Sequence, residues 1–303
     1  MSHDHEHEIP KNINLSKLIW SILINIVIAI LEIVYGLIIG SLALMSEAFH
    51  NVTDIASMIL SYAGEKISAK APNDKKTYGY KKTEAIVAFV NSSVLLAVII
   101  IILVESVKRL FSPTEINGFS MIIVASIAFV GNGIATMILN TGEKNLNMKS
   151  AWLHSLQDAL FSLAVIIASV LIYYFHWNII DPLISIVISL FLIKEAYHIT
   201  KESIDMLMDS VPHDVDFNEV KEELLKIQDV KQVSDLHIWQ TDSKDKLLSA
   251  HLKISDLKNE ERNKLLSDIQ HILKEKYKIN HTTIQLVSID DSEKDMFDCE
   301  HCN

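Results

Sequence analysis

Two copies of one short pattern stand out in this sequence of 303 residues: a histidine followed four residues later by an aspartate. The copies are His50 with Asp54 and His154 with Asp158, and both lie in apolar surroundings. On a helix, residues four apart share one face and are separated by about 6 Å along the axis. Two such helices side by side would bring two imidazoles and two carboxylates to one point. That ligand set suits a tetrahedral divalent metal such as zinc.

Both pairs fall in segments long and apolar enough to cross a membrane, which takes about 20 largely apolar residues in a helix. Of the six predicted spans, the second is weaker and amphipathic and carries the first pair, whereas the fifth carries the second pair. The predicted spans cover residues 18–39, 44–63, 85–107, 119–139, 151–175 and 179–197.

An aspartate at the centre of a membrane helix raises the free energy of insertion by roughly 2.5–3.5 kcal/mol. A hydrogen bond between helices would explain a single aspartate of this kind. The same pattern on two separate spans makes that explanation much weaker. A metal held inside the bilayer is better explained as a transported ion than as a structural one.

Basic residues predict the orientation, since cytoplasmic loops carry an excess of lysine and arginine. The loop between spans two and three holds six lysines, and the loop between spans four and five holds Lys144 and Lys149. The loops after spans one and five hold none, while Lys108 and Arg109 run against the trend. Both termini are therefore predicted to be cytoplasmic, in a multi-pass membrane protein.

The sequence after about residue 208 is typical of an acidic soluble domain. Its apolar periodicity predicts a helix, two strands joined by a polar turn, a second helix and a last strand. The predicted fold is therefore an all-α transmembrane domain of six helices followed by an α+β domain in the order α-β-β-α-β. The formal charge of −11 argues against nucleic acid as a partner.

These features together resemble the cation diffusion facilitator family, in particular its zinc-exporting branch, which includes bacterial cobalt, zinc and cadmium efflux proteins and is related to animal zinc transporters. The resemblance covers nearly the whole chain. It includes three further matching stretches: Ser46-Glu47-Ala48, Tyr78-Gly79-Tyr80 with Lys82 and Glu84, and Asp235-Leu236-His237-Ile238-Trp239.

The resemblance implies a homodimer that exchanges Zn²⁺ for H⁺, with His50, Asp54, His154 and Asp158 as the transport site. It also implies a metallochaperone-like cytoplasmic domain that dimerises and senses metal. The predicted division of the chain is a His-rich tail at 1–16, the transport domain at 17–208, the cytoplasmic domain at 209–290 and a Cys-containing tail at 291–303.

The ligand chemistry agrees with such an exchange. Histidine binds zinc only when neutral and carboxylates bind it only when ionised, so metal and protons compete for the same atoms. A site that faces each side of the membrane in turn would couple the two flows. Mixed imidazole and carboxylate ligands favour Zn²⁺ and tolerate Co²⁺ or Cd²⁺, so the sequence leaves the physiological ion and the exchange stoichiometry open.

The tail offers a second candidate metal region, in which zinc would regulate transport or only stabilise the dimer. His237 and His251 lie on the two strands of the predicted hairpin and could face each other, and His281 precedes the last strand. Cys299 and Cys302 form a C-x-x-C pair that would add soft ligands, although free thiols in a disordered tail are the alternative. By resemblance, Lys82 would pair with Asp209 in a salt bridge at the dimer contact.

Several other polar residues lie in the predicted spans or beside them. Asn25, Glu32, Asn91 and Asn132 either line a pathway or only join helices. Glu47 is expected to be a solvated carboxylate at the membrane interface, with a role as a gate as the alternative. The histidines and acids of residues 3–7 predict a flexible metal-capturing tail, or else only a solvated acidic leader.

Three rival functions remain at this point. An intramembrane metalloenzyme is disfavoured because the chain has no H-E-x-x-H sequence and because four protein ligands leave no open position for water. A membrane-anchored zinc sensor or scaffold has no need of ionisable residues in two spans. A channel is the third, since sequence does not reveal alternating access. The sequence predicts no enzyme, and it favours membrane lipid, divalent metal and protons as the partners of this chain.

Overall fold

The computed structural model describes residues 15–68, 70–139 and 146–288. The chain divides into two compact units, of which the first comprises Met1–Leu60 with Val90–His198 and the second Ser61–Phe89 with Ile199–Asn303. Residues 3–7, Cys299 and Cys302 lie outside the described residues, so the predictions for both ends of the chain stay predictions.

Six long helices confirm the predicted helical region. They are α1 (Leu15–Ile39), α2 (Leu42–Ser68), α3 (Thr83–Phe111), α4 (Gly118–Leu139), α5 (Leu146–Phe175) and α6 (Ile180–Leu207). Five of them, all but α2, are long and apolar enough to cross a membrane. Helix α2 has the length, but the polar residues of the candidate site lower its hydropathy. Helix α6 continues ten residues past the predicted end of its span, because hydropathy reports the membrane-embedded part of a helix and not where the helix stops.

Close packing joins α4 to α1 and to α5 in the first unit. Gly118 of α4 lies against the backbone of Tyr173, where a Cβ atom would come within 2.7 Å of its nitrogen. Gly131 likewise lies against Ile28 of α1. Small residues allow helix backbones to approach closely where lipid supplies no hydrophobic driving force between helices. Large apolar side chains such as Ile101 and Phe191 are exposed on the outer faces of the spans, as contact with lipid requires.

An aspartate from a different helix caps the N-terminus of α2. Asp181 of α6 is fully buried and accepts hydrogen bonds from Ser41 Oγ at 2.5 Å, from the Leu42 amide at 2.9 Å and from the Ala43 amide at 3.2 Å. The first amides of a helix have no partner within the helix, so a carboxylate there satisfies them and complements the helix dipole. Arg109 donates to the carbonyl of Gly40, just before the cap. The start of the helix that carries His50 is thereby fixed to α6.

The second unit contains a small sheet domain, defined here as α7 (Phe217–Lys226), β1 (Val230–Gln240), β2 (Lys246–Ile254), α8 (Asn259–Tyr277) and β3 (Ile279–Ser288). The predicted α-β-β-α-β order is confirmed. Strands β1 and β2 form the expected antiparallel hairpin, and β3 pairs in parallel with β2. Strand β3 begins at Ile279 and includes His281, which was predicted to precede it, because Lys278 turns the chain with φ +60° and Ile279 is already buried.

Candidate metal site

The two histidine–aspartate pairs come together in the first unit. His50 and Asp54 lie on α2 and His154 and Asp158 on α5, and one ligand atom from each lies within 4.8 Å of the other three. His154 Nε2 is 3.1 Å from Asp54 Oδ2, and His50 Nε2 is 3.4 Å from Asp158 Oδ1. Within each helix, His50 Nε2 is 3.5 Å from Asp54 Oδ2, and His154 Nε2 is 3.9 Å from Asp158 Oδ2. Each imidazole therefore faces a carboxylate of the other helix as well as its own.

The four side chains differ in burial. His50 and Asp158 are 2% and 1% exposed, whereas Asp54 and His154 are 21% and 35% exposed. Neither nitrogen of His50 and neither carboxylate oxygen of Asp158 has a hydrogen-bond partner in the protein. Unpartnered polar atoms in an apolar interior are costly, and binding a cation there would remove the cost. The residues therefore fit a divalent metal. His50 and Asp158 would hold it from the buried side of the site, and Asp54 and His154 from the partly exposed side.

Ser162, Glu47 and Asn132 form a chain of polar contacts beside Asp158. Ser162 of α5 donates to the carboxylate of Glu47 and lies 3.1 Å from the carbonyl oxygen of Asp158. Asn132 of α4 donates to Ser162 Oγ at 3.2 Å. Glu47 is 1% exposed, so the expectation of a solvated interfacial carboxylate is wrong. The expectation failed because Glu47 is near the end of α2 in sequence, while α5 covers it in the fold.

The remaining polar residues of the spans have separate positions. Asn91 of α3 donates to Ser57 of α2, and Asn132 joins α4 to α5, so both contribute contacts between helices. Asn51 of α2 donates to Glu32 of α1 at 2.8 Å, and both side chains are buried. Asn25 is buried as well, and its carbonyl oxygen Oδ1 has no hydrogen-bond partner in the protein.

The sheet domain brings two of the predicted tail ligands to one aspartate. His237 Nε2 lies 3.0 Å from Asp235 Oδ1, and His251 Nε2 lies 3.8 Å from Asp235 Oδ2. Asp235 adopts φ +50° within an irregularity of β1 between Ser234 and His237, which places its carboxylate between the two histidines. The prediction named both histidines as ligands and missed Asp235, although it lies in the Asp235–Trp239 stretch that supported the resemblance.

The third histidine of the tail lies elsewhere on the sheet. His281 is exposed on β3, pairs in register with Leu247, and its ring centre is 6.3 Å from that of Tyr78. The predicted pair of Lys82 and Asp209 forms within one chain, with Lys82 Nζ 2.7 Å from Asp209 Oδ1. Its neighbour Lys81 pairs with Asp245 of the polar turn between β1 and β2.

The two parts of the chain match two family models. Residues 18–208 match the model described as "Cation efflux transmembrane domain", and residues 212–287 match "Cation efflux protein, cytoplasmic domain". The first match alone covers more than half of the chain.

Two similar proteins are named as a transporter and an antiporter of metal ions. The chain is 31% identical over 292 residues to "Zinc transporter ZitB" of Escherichia coli strain K12, covering 94% of this chain and 92% of that protein. It is 31% identical over 290 residues to the "Cadmium, cobalt and zinc/H(+)-K(+) antiporter" of Bacillus subtilis strain 168, with the same coverage of each. A solved structure described as the metal-bound C-terminal domain of the CzcD transporter from Cuprividus metallidurans is 34% identical, covers 24% of this chain and 99% of that chain, and has a TM-score of 0.23.

Proposed function

Because this chain belongs to the cation diffusion facilitator family of cation efflux proteins, we propose that it exports Zn²⁺ from the cytoplasm in exchange for H⁺. It is a multi-pass membrane transporter and not an enzyme. One observation carries the assignment of the site: four ligand atoms of His50, Asp54, His154 and Asp158 lie within 4.8 Å of one another on helices α2 and α5.

The donor set supports zinc as the substrate and leaves room for related ions. Two imidazole nitrogens and two carboxylate oxygens favour borderline ions such as Zn²⁺, whereas a set of oxygens alone suits harder ions such as Mn²⁺. The relatives named above include one zinc transporter and one antiporter for cadmium, cobalt and zinc. Cd²⁺ and Co²⁺ are therefore proposed as secondary substrates of the same site.

Proton exchange follows from the competition of metal and protons for the same four side chains. The burial difference supports an asymmetric access route, since Asp54 and His154 are partly exposed while His50 and Asp158 are sealed. In this proposal the ion reaches the partly exposed pair first and is then enclosed by the buried pair. Protons arriving from the other side displace the metal once the site faces that side.

The sheet domain is proposed to lie in the cytoplasm, together with both termini, and to bind regulatory or stabilising zinc. Its ligands would be His237 and His251 with Asp235 between them, while His281, Cys299 and Cys302 are further candidates. The chain would act as a homodimer in a bacterial inner or plasma membrane, with the Lys82–Asp209 pair near the dimer contact. The proposed domain limits are 17–208 for transport and 209–290 for the cytoplasmic domain.

Reconstitution in liposomes tests this function. The wild-type protein and Asp54→Asn are compared for zinc flux and proton flux under an imposed pH gradient, with Glu105→Gln as the control. Glu105 is a half-exposed carboxylate on α3 that pairs with Arg109, away from the candidate site. We expect zinc flux to follow the pH gradient in the wild type and the control, and to be lost in Asp54→Asn. Zinc flux independent of the gradient would indicate a channel, and full flux in Asp54→Asn would refute the site.

A further inference from the structure

A second group of buried polar side chains lies beside the His/Asp site. Glu32 of α1 and Glu47 of α2 are 0% and 1% exposed, and Asn51 is equally buried. The Asn51 amide donates to Glu32 Oε2 at 2.8 Å, which brings α1 and α2 together at this level. Glu47 is four residues before Asn51, so both side chains lie on one face of α2. The three residues therefore form one cluster, called the acidic cluster below.

Each member of the acidic cluster keeps one oxygen without a hydrogen-bond partner in the protein. These atoms are Glu32 Oε1, Glu47 Oε2 and Asn51 Oδ1. Asn51 Oδ1 belongs to the same amide group that contacts Glu32, so it lies at the cluster. Helix pairing accounts for the Asn51–Glu32 hydrogen bond, but not for three further buried oxygens, which are costly in a membrane interior. Carboxylate and amide oxygens are ligands for a divalent cation, and two of these three oxygens belong to carboxylates.

The acidic cluster extends from the level of the His/Asp site, where Asn51 follows His50 directly in the chain, toward the N-terminal end of α2. Glu47 precedes His50 by three residues, which places it about 4.5 Å closer to the N-terminal end of α2. Helix α1 crosses the membrane once before α2 begins, so this end of α2 lies on the opposite side of the membrane from the N-terminus. The Ser162 hydroxyl links the two groups, because it contacts both the Glu47 carboxylate and the Asp158 carbonyl. Glu47 therefore extends the acidic cluster from the level of the His/Asp site toward the far side of the membrane.

We propose that Glu32, Glu47 and Asn51 form a second binding position for the transported divalent cation, which receives the ion from the His/Asp site on the release side. The proposal rests on the export function proposed above. A site made only of oxygens holds Zn²⁺ less tightly than one with two imidazoles, and that difference suits a position from which the ion must leave.

Transport rates give the first test. Glu32→Gln and Glu47→Gln each keep the size of the side chain but remove a charge, with Glu105→Gln as the matched control. In liposomes we expect the maximal zinc flux to fall about tenfold or more in both cluster variants, while the zinc concentration for half-maximal flux and the melting temperature remain those of the control. Glu47→Asp, which keeps a carboxylate, should recover part of the flux. Wild-type flux in both Gln variants would overturn the proposal, as would a loss that Glu47→Asp does not relieve.

Metal counting gives the second test and separates this proposal from the export function. Bound Cd²⁺ is measured by equilibrium dialysis on the full-length protein carrying Asp54→Asn, with and without Glu32→Gln and Glu47→Gln together. Metal held by the sheet domain contributes equally to both proteins, so the difference isolates the acidic cluster. We expect one Cd²⁺ per chain fewer in the triple variant, and an equal count would refute the second position. Failure of the export function would appear separately, as undiminished zinc flux in Asp54→Asn.

Discussion

The helical unit and the sheet domain both place histidines next to aspartates, but they do so by different means. In the helical unit, the spacing of four residues puts each pair on one helix face, and two helices complete a set of four. In the sheet domain, an irregularity in β1 puts Asp235 between histidines of two strands. His50 is sealed and has no hydrogen-bond partner, whereas His237 is 53% exposed and contacts Asp235 at 3.0 Å. Buried polar atoms without hydrogen bonds therefore favour a bound cation in the helical unit more strongly than the exposed, hydrogen-bonded histidine does in the sheet domain.

The same substitution in the two regions should give the largest contrast. His50→Ala removes a buried side chain of the proposed transport site, and we expect zinc flux in liposomes to fall by about 100-fold or more. His237→Ala removes an exposed histidine of the sheet domain and should leave most of the flux, while lowering the amount of zinc bound per chain. Equal losses of flux in the two variants would show that the sheet domain takes a direct part in transport.

Changing the ligand type sharpens the comparison further. His50→Asp converts the proposed transport site to one imidazole and three carboxylates, which should increase flux of the harder ion Mn²⁺ relative to Zn²⁺ by about tenfold. The flux ratio of the two ions in liposomes measures this effect. His251→Asp in the sheet domain serves as the control and should leave the ratio unchanged. An unaltered ratio in His50→Asp would contradict the assignment of ion choice to the imidazoles.

The two regions also cap helices differently, and the caps should differ in strength. Asp181 satisfies the start of α2 from another helix in a buried setting, so Asp181→Ala leaves two buried amides and the Ser41 hydroxyl without this partner. We expect a loss of about 3 kcal/mol of stability. Asp216 caps α7 locally in an exposed setting, and Asp216→Ala should cost about 1 kcal/mol. Thermal unfolding of the purified full-length protein compares the two, and a larger shift for Asp216→Ala would refute this ranking.

The smallest expected effect is a pH dependence in the sheet domain. The hydrogen bond from Lys246 holds the pKa of the Asp214 carboxyl below its usual value. A lowered pKa in the folded state stabilises the protein above the unfolded pKa, near 4, and this contribution disappears as the pH falls through the folded value. Because Asp214 is largely exposed, Asp214→Asn should lower the melting temperature only slightly at pH 7, and by progressively less as the pH falls below about 4 toward pH 2. A shift that persists at pH 2 would assign the effect to packing.

The failures of the sequence-based predictions share one cause. Glu47 was expected at the solvated interface, yet α5 covers it and Ser162 donates to it from that helix. Asp235 was not expected beside His237 and His251, because nothing in the local pattern of β1 indicates an irregularity with φ +50°. In both cases the deciding contact is distant in sequence, so periodicity and spacing carry no signal of it.

The six helices, the order of the sheet domain and the pairing of His50 with Asp54 and of His154 with Asp158 could all be predicted from local sequence. Hydropathy, strand alternation and a spacing of four residues are local properties that a single segment carries. The tertiary structure decided which helix faces meet, which two ligands are sealed, and that Asp181 fixes the start of α2. It also placed Glu32, Glu47 and Asn51 together, with one unpartnered oxygen on each. These outcomes depend on packing between separate helices, where the cost of burying polar atoms is met by residues far apart in the chain.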